Sequence, residues 1–144
     1  MKTRNKKTIV ISIIVLLGVS VFLYLHFNKV FIGGELLELK DINKIEVTKA
    51  DKNEKVNVTD ARKVEEIKKT LNQLELKRDN NEDVSEVKDR FMLTLYTETE
   101  ARYGVHLYDN SYIEIFDPEL QGNKLRGYKV RSDFDLSVIQ DLFK

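Results

Sequence analysis

The stretch RYGVHLYDNSYIEIFD, residues 102–117, decides the fold because it reads as two strands joined by a turn. Apolar residues alternate with polar ones on both sides of Asp109-Asn110: Tyr103, Val105 and Leu107 before it, Ile113 and Ile115 after it. This period of two is typical of a strand with one buried face. Asp and Asn tolerate the positive φ of a tight turn, although the usual Gly at the second turn position is absent. The pattern predicts a hairpin and leaves its register open by one residue.

Further strands are predicted on both sides of this hairpin. RFMLTLYTE, residues 90–98, places Phe91, Leu93 and Leu95 on one face. IEVTK (45–49) and KVNVTD (55–60) alternate in the same way around a polar turn and predict a second hairpin. LELKR (74–78) is a weaker strand candidate, GYKVR (127–131) predicts a last short strand, and residues 79–89 have the composition of a loop.

Two helices complete the predicted domain. Thr59-Asp60 supplies a cap for a helix whose apolar residues form one stripe: Val64, Ile67, Leu71 and Leu74. SDFDLSVIQDLFK, residues 132–144, predicts a closing helix capped by Ser132 or Asp133, with Phe134, Val138, Ile139 and Leu142 on one side. Consecutive hairpins require an antiparallel sheet, and amphipathic helices need an apolar surface to cover. The predicted fold is therefore α+β: a membrane helix, then an antiparallel sheet with two amphipathic helices packed on one face.

The membrane helix is predicted from KKTIVISIIVLLGVSVFLYLHFNK, residues 6–29. Thr8 to Asn28 is a run of 21 residues without a formal charge when His is neutral. A helix needs roughly 20 residues, at about 1.5 Å each, to cross a hydrocarbon core about 30 Å thick. A core helix of a soluble domain would show a polar face, which this run lacks. Four basic residues precede it (Lys2, Arg4, Lys6 and Lys7), so the amino terminus is predicted to stay in the cytoplasm and the rest to be exported.

The exit of this helix favours an uncleaved anchor. Signal peptidase requires a shorter apolar region followed by small residues, whereas this run ends in the bulky residues 22–27. Tyr24, His26 and Phe27 are predicted to lie at the membrane interface. A secreted protein, released by cleavage of the N-terminal segment, is the alternative. The predicted organisation is a basic tip and anchor (1–28), a juxtamembrane linker (29–41) containing Gly33-Gly34, and an extracytoplasmic domain (42–144). The linker is expected to be a short spacer packed on the domain edge, and the alternative is a stretch that lies on the membrane or contacts a partner.

Composition limits the possible chemistry. The chain has no cysteine, which removes thiol catalysis, disulfides and lipid attachment to cysteine. All 24 acids but only 20 of the 24 bases follow the anchor, so the exported part is mildly acidic and has no footprint for nucleic acid. Asp79, Asn81 and Asp83 begin like a calcium loop, but Val84 and Arg90 replace the Gly and Glu that an EF-hand requires. We expect no metal or cofactor.

Surface aromatic residues are the remaining candidates for function. Five tyrosines occupy the segment from Tyr96 to Tyr128, and tyrosine is common at protein contacts as well as at packed sheet edges. Tyr108 and Tyr112, beside the hairpin turn, and His106 are predicted to contact a protein partner such as another envelope or secreted protein. No catalytic motif is present, so a non-enzymatic binding or accessory module is predicted. The alternative is a cell-envelope enzyme that uses His106 and carboxylates.

The overall pattern resembles the small membrane-anchored or lipoprotein-like extracytoplasmic proteins of Gram-positive bacteria that carry uncharacterised domains. The residues that carry the resemblance are IxKIEV, VTDxxKVEEIKKxLNxL, LYDNSYIEI and GYKV, spread over residues 42–143. The chain departs from lipoproteins because it lacks the lipobox cysteine. The resemblance implies location and architecture, and it transfers no functional residue.

Overall fold

The computed structural model describes residues 2–87, 89–109 and 111–144, with side chains from Lys6 onward. It opens with the long helix α1 (Lys2–Phe27), followed by strand β1 (Val30–Ile32) and the short helix α2 (Gly33–Leu36). The domain continues with β2 (Lys44–Lys49), β3 (Glu54–Val58), α3 (Ala61–Asn72), β4 (Glu75–Arg78), β5 (Arg90–Tyr96), β6 (Ala101–Tyr108), β7 (Tyr112–Phe116), β8 (Leu125–Val130) and α4 (Ser137–Gln140), and ends in a 3₁₀ turn (Asp141–Phe143).

The strands of the described residues form one antiparallel sheet of eight, in the order β1-β4-β8-β7-β6-β5-β2-β3. Strands β3 and β4 are consecutive along the chain but lie near opposite edges of the sheet, so α3 connects them across one face. The last strand, β8, inserts between β4 and β7. The predicted α+β class, with helices on one face of an antiparallel sheet, is confirmed.

The core lies between this sheet face and the helices. Asp60 begins α3 as predicted, because its side chain accepts hydrogen bonds from the backbone of Arg62 and Lys63. The apolar stripe of α3 then packs on alternate strand residues in one hydrophobic cluster that includes Val64, Ile67, Leu71, Ile45, Val47, Phe91, Leu93, Leu95, Val105, Leu107, Ile113 and Ile115. The opposite sheet surface, called here the open face, carries the alternate residues of the same strands.

The segment predicted as a linker, residues 29–41, is part of the folded domain. β1 pairs with β4, and Leu37 and Leu39 are buried in the core. Gly33 lies against the carboxyl end of α3, where a Cβ would overlap the Leu71 carbonyl oxygen. The sequence pattern did not indicate the pairing of β1 with β4, because a three-residue edge strand has too few residues to show alternation.

One local prediction is wrong in extent, and the strand pairing fixes the hairpin register that the sequence left open. The closing helix is shorter than predicted: Ser132 Oγ accepts a hydrogen bond from Glu75 N, and α4 starts only after Asp135, whose carboxylate accepts from Ser137 N. The central hairpin pairs Tyr108 with Tyr112, so its loop has three residues, and Asp109 has the positive φ of 51°. Asn110, the second predicted turn residue, lies outside the described residues.

Candidate protein-contact surface

The sheet places the predicted contact residues on the open face. Val105 and Leu107 point into the core, so the alternating pleat directs His106 and Tyr108 the other way. The register of β6 and β7 pairs His106 with Glu114 and Tyr108 with Tyr112. Four side chains from two strands are thereby brought together.

Glu114 lies at the centre of this group. Its Oε2 accepts a 2.7 Å hydrogen bond from the Tyr108 hydroxyl and lies 3.4 Å from His106 Nδ1. The His106 and Tyr108 rings meet edge to face, with centroids 6.4 Å apart. Burial and the hydrogen bond to the Glu114 carboxylate raise the pKa of Tyr108 to about 12, because both disfavour a phenolate. His106 is thus a half-exposed member of a polar cluster.

Tyr112 is not available to a partner, contrary to the prediction. Its side chain is only 4% exposed and donates a 2.8 Å hydrogen bond to the Asp79 carbonyl. The ring crosses β8 at Gly127, where a Cβ would overlap the Tyr112 hydroxyl. A glycine on the neighbouring strand therefore lets a surface tyrosine become a packing residue. Burial also raises the pKa of this hydroxyl.

The loop 79–89 holds Tyr112 in place from the open face. Lys129 Nζ forms ion pairs with two carboxylates of this loop, Glu82 at 2.7 Å and Asp79 at 3.5 Å. At its far end, Asp89 O accepts from Asp109 N and Asp89 N donates to the Asp109 carboxylate. These contacts fasten the loop to three strands or their ends.

The carboxylates of the calcium-like triplet serve the turns of this loop. Asp79 Oδ1 accepts from Asn81 N, a bond that lowers the pKa of Asp79, with Lys129 adding to the shift. Asp83 Oδ1 accepts from Ser85 N, and the hydrogen bonds from Ser85 lower the pKa of Asp83. The spacing of these three residues is explained by local turn geometry.

Exposed apolar side chains extend the open face beyond the tyrosines. Met92, opposite His106 on β5, is 41% exposed, as is Phe116 on β7, and Leu125, paired with Phe116, is 38% exposed. The sequence placed the first two on strands but gave no reason to select them. Their position along the strand predicts their exposure, because each directly follows a core residue and must therefore face outward.

The predicted interface residues lie at the end of α1. Tyr24 and Phe27 are exposed, and the His26 ring stacks on Phe22 with centroids 6.1 Å apart. Lys6–Phe27 is long and apolar enough to cross a membrane, and none of its most hydropathic window is buried in the domain, which argues against a core helix. Asn28 ends the helix by donating to the Tyr24 carbonyl.

A groove of about 1260 Å³ runs between α3 and residues 34–41. Its walls carry both signs of charge, including Lys40, Arg62, Glu38 and Glu66. Lys68, which is 8% exposed, donates to the carbonyls of residues 40 and 42 and to the Glu65 carboxylate. Lys68 therefore fastens segment 37–42, whose Leu37, Leu39 and Ile42 are buried, to α3, which is a structural role.

Comparison with known proteins yields one match. Residues 34–117, more than half of the chain, match the DUF5301 family, described as a domain of unknown function (DUF5300). The match begins inside the segment that the sequence predicted as a linker, in agreement with the packing of α2. No curated protein and no solved structure matches the chain.

Proposed function

Since the chain belongs to this family of domains without a known function, we propose its role from the geometry: it is a non-catalytic, membrane-anchored module that binds another protein through its open face. In this proposal α1 is an uncleaved signal anchor, and the α+β domain lies outside the cytoplasm. The partner is an envelope or secreted protein that meets the module near the membrane.

The anchor part of the proposal rests on length and charge. Lys6–Phe27 spans about 33 Å as a helix, which matches the hydrocarbon thickness of about 30 Å. Basic residues precede it without any acid, so the positive-inside rule favours a cytoplasmic amino terminus. The bulky residues at its exit disfavour cleavage.

The binding part rests on one observation: apolar side chains on β5, β7 and β8 are exposed on a sheet face that the helices leave uncovered. The solvent face of an antiparallel sheet is ordinarily polar, so Met92, Phe116 and Leu125 together call for an explanation. Exposed apolar patches with polar surroundings are typical of contact surfaces. His106 and Gly104, on β6, lie between Met92 and Phe116, and Tyr108 extends the surface on the other side of His106.

Charge favours a basic partner. The part of the chain after the anchor carries 24 acids and 20 bases. Complementary charge chiefly raises the association rate and helps to select between partners, while buried apolar contacts supply most of the affinity. A partner with an apolar centre fits the exposed side chains of the open face, and a net basic charge on that partner would speed its association.

The enzyme alternative is favoured by the approach of Glu114 to His106. A carboxylate that orients a histidine is one part of a general-base site. The residues paired with them across the strands are Met92 and Gly127, neither of which can act as a nucleophile. Glu114 is also engaged by the Tyr108 hydroxyl. A contact surface that contains His106 and Glu114 as polar members accounts for their approach without requiring a nucleophile.

Photo-crosslinking tests the binding proposal. A photoreactive amino acid at Met92, and separately at Arg62 on the helix side as a control, is incorporated into the full chain in intact cells. We expect one discrete crosslinked product from position 92 and none from position 62. Adding Phe116→Asp to the Met92 probe should reduce that product at least tenfold, whereas adding Glu66→Lys on α3 should leave it unchanged.

Other outcomes would contradict the proposal. A product that survives Phe116→Asp, in a protein whose circular dichroism spectrum is unchanged, would show that Phe116 is not part of the contact surface. An equal product from position 62 would place the partner on another surface. A product that is lost in the Glu114→Gln variant together with a chemical activity of the cells would favour the enzyme. For the anchor, the protein in membranes should have the mass of the full chain, and protease added to intact cells should digest residues after 42.

A further inference from the structure

The connection between α1 and the sheet is short, and this limits how the domain can be oriented on the bilayer. We propose that the β1 edge of the sheet contacts the lipid headgroups, so that the sheet stands on this edge and the open face points sideways. The inference rests on the proposed anchoring by α1. It adds a second interaction surface, and its ligand is the lipid of the membrane itself.

Distance along the chain limits where β1 can be. Only Asn28 and Lys29 separate the end of α1 from Val30. Three residues of chain reach about 10 Å at most, so Val30 lies within about 10 Å of Phe27. The headgroup layer outside the hydrocarbon is about 5–8 Å thick. If Phe27 marks the outer hydrocarbon boundary, β1 begins in this layer or directly above it.

Hydrogen bonds make this connection less flexible than a linker would be. Asn28 donates through its side chain to the Tyr24 carbonyl in α1. The same side chain accepts a 2.7 Å hydrogen bond from Lys77 Nζ on β4. Lys29 lies over the Phe31 ring, with its Nζ 4.7 Å from the centroid, and that ring packs on Tyr128. The helix end is therefore tied to β4 and to β8.

The edge itself has the composition of an interfacial surface. β1 is a terminal strand of the sheet, and Val30 and Ile32 are exposed, Ile32 by 40%. Exposed apolar edge strands are ordinarily protected from pairing with other chains, and headgroup contact provides such protection here. Lys29 and Arg131 are also exposed nearby, while Glu35 accepts from Ile32 N. With mixed charge on this edge, contact should not require anionic lipid.

The absence of tryptophan from the chain allows a direct test. Single-tryptophan variants of the full chain are reconstituted into zwitterionic phosphatidylcholine vesicles containing lipids brominated near the headgroup or deep in the acyl chain. Ile32→Trp is the test position. Met92→Trp is the matched control, since its exposure is nearly equal but β5 lies five strands from β1, about 24 Å away. Tyr24→Trp and Leu16→Trp report the interface and the bilayer centre.

The expected result is strong quenching of Ile32→Trp by the shallow bromolipid, comparable to Tyr24→Trp and several times greater than for Met92→Trp. Quenching of Leu16→Trp by the deep bromolipid, without quenching of Ile32→Trp, would overturn the edge contact while preserving the anchor. No quenching at Leu16→Trp would refute the anchor itself. Equal quenching at Met92→Trp would mean that the open face lies flat on lipid, which contradicts both the edge contact and the protein-binding proposal.

Discussion

Replacing Gly127 with alanine should expel the Tyr112 ring from its site. The added Cβ would overlap the Tyr112 hydroxyl and lie 2.5 Å from the Asp79 carbonyl oxygen, so neither group can stay in place. Moving the ring breaks the 2.8 Å hydrogen bond between them and loosens the first residues of the loop 79–89.

The magnitude follows from three contributions. Forcing an extra methyl into a packed site costs about 1–3 kcal/mol. Losing a partly buried hydrogen bond costs about 1 kcal/mol more. Alanine is better than glycine in a strand interior by about 0.5–1 kcal/mol, which offsets part of this cost. The free energy of unfolding should fall by about 2 kcal/mol.

Gly104→Ala is the matched control. Gly104 also lies in a strand on the open face, but its added Cβ would meet the Phe116 Cβ at 3.4 Å, an ordinary contact. This variant should equal the parent or exceed its stability by about 0.5 kcal/mol.

The assay is urea unfolding of the full chain in mild detergent, followed by circular dichroism. With a denaturant slope of about 1.5 kcal/mol/M, Gly127→Ala should lower the midpoint by about 1.3 M. In the Tyr112→Phe background the fall should be smaller, because the group nearest to the new Cβ is gone. Equal midpoints for the Gly127→Ala and Gly104→Ala variants would refute the packing argument.

Three further measurements address other parts of the structure. Burial and the Glu114 carboxylate hold the pKa of Tyr108 at about 12, so its contribution to stability is complete below pH 10 and is lost as pH rises from 10 to 12. Absorbance titration at alkaline pH should show a late phase whose amplitude Tyr108→Phe reduces, and an unchanged late phase in that variant would contradict this. Lys68→Ala should lower the free energy of unfolding by about 1–3 kcal/mol in urea titrations, because three hydrogen bonds of its ammonium group are lost. Lys69→Ala, on the exposed side of α3, should change it by less than about 0.5 kcal/mol. Equal effects of the two variants would show that Lys68 does not hold segment 37–42 on α3. Asp60→Ala should cost about 1 kcal/mol in the same assay through loss of the α3 cap, and an unchanged midpoint would mean that the cap contributes nothing.

Local patterns predicted most of the elements of this protein. The 21-residue neutral run predicted α1, because a span of that length is a one-dimensional property of the chain. Period-two alternation predicted β5, β6 and β7, and capping with a 3.6-residue period predicted α3, because these signals arise from neighbours within a few residues. The α+β class followed from the need of both kinds of element to bury one face.

The tertiary structure decided what distant residues do to one another. The loss of Tyr112 as a surface residue depends on Gly127, fifteen positions away, and on a carbonyl at Asp79. The pairing of β1 with β4 joins positions 30 and 77, and neither segment shows it alone. Strand register places side chains from separate segments within hydrogen-bonding distance. Alternation along one strand does not show which residues of another strand it will pair with, so the register is known only from the folded sheet. The sequence by itself therefore determined an apolar span followed by a domain with one buried sheet face, and folding decided which side chains on the other face remain exposed.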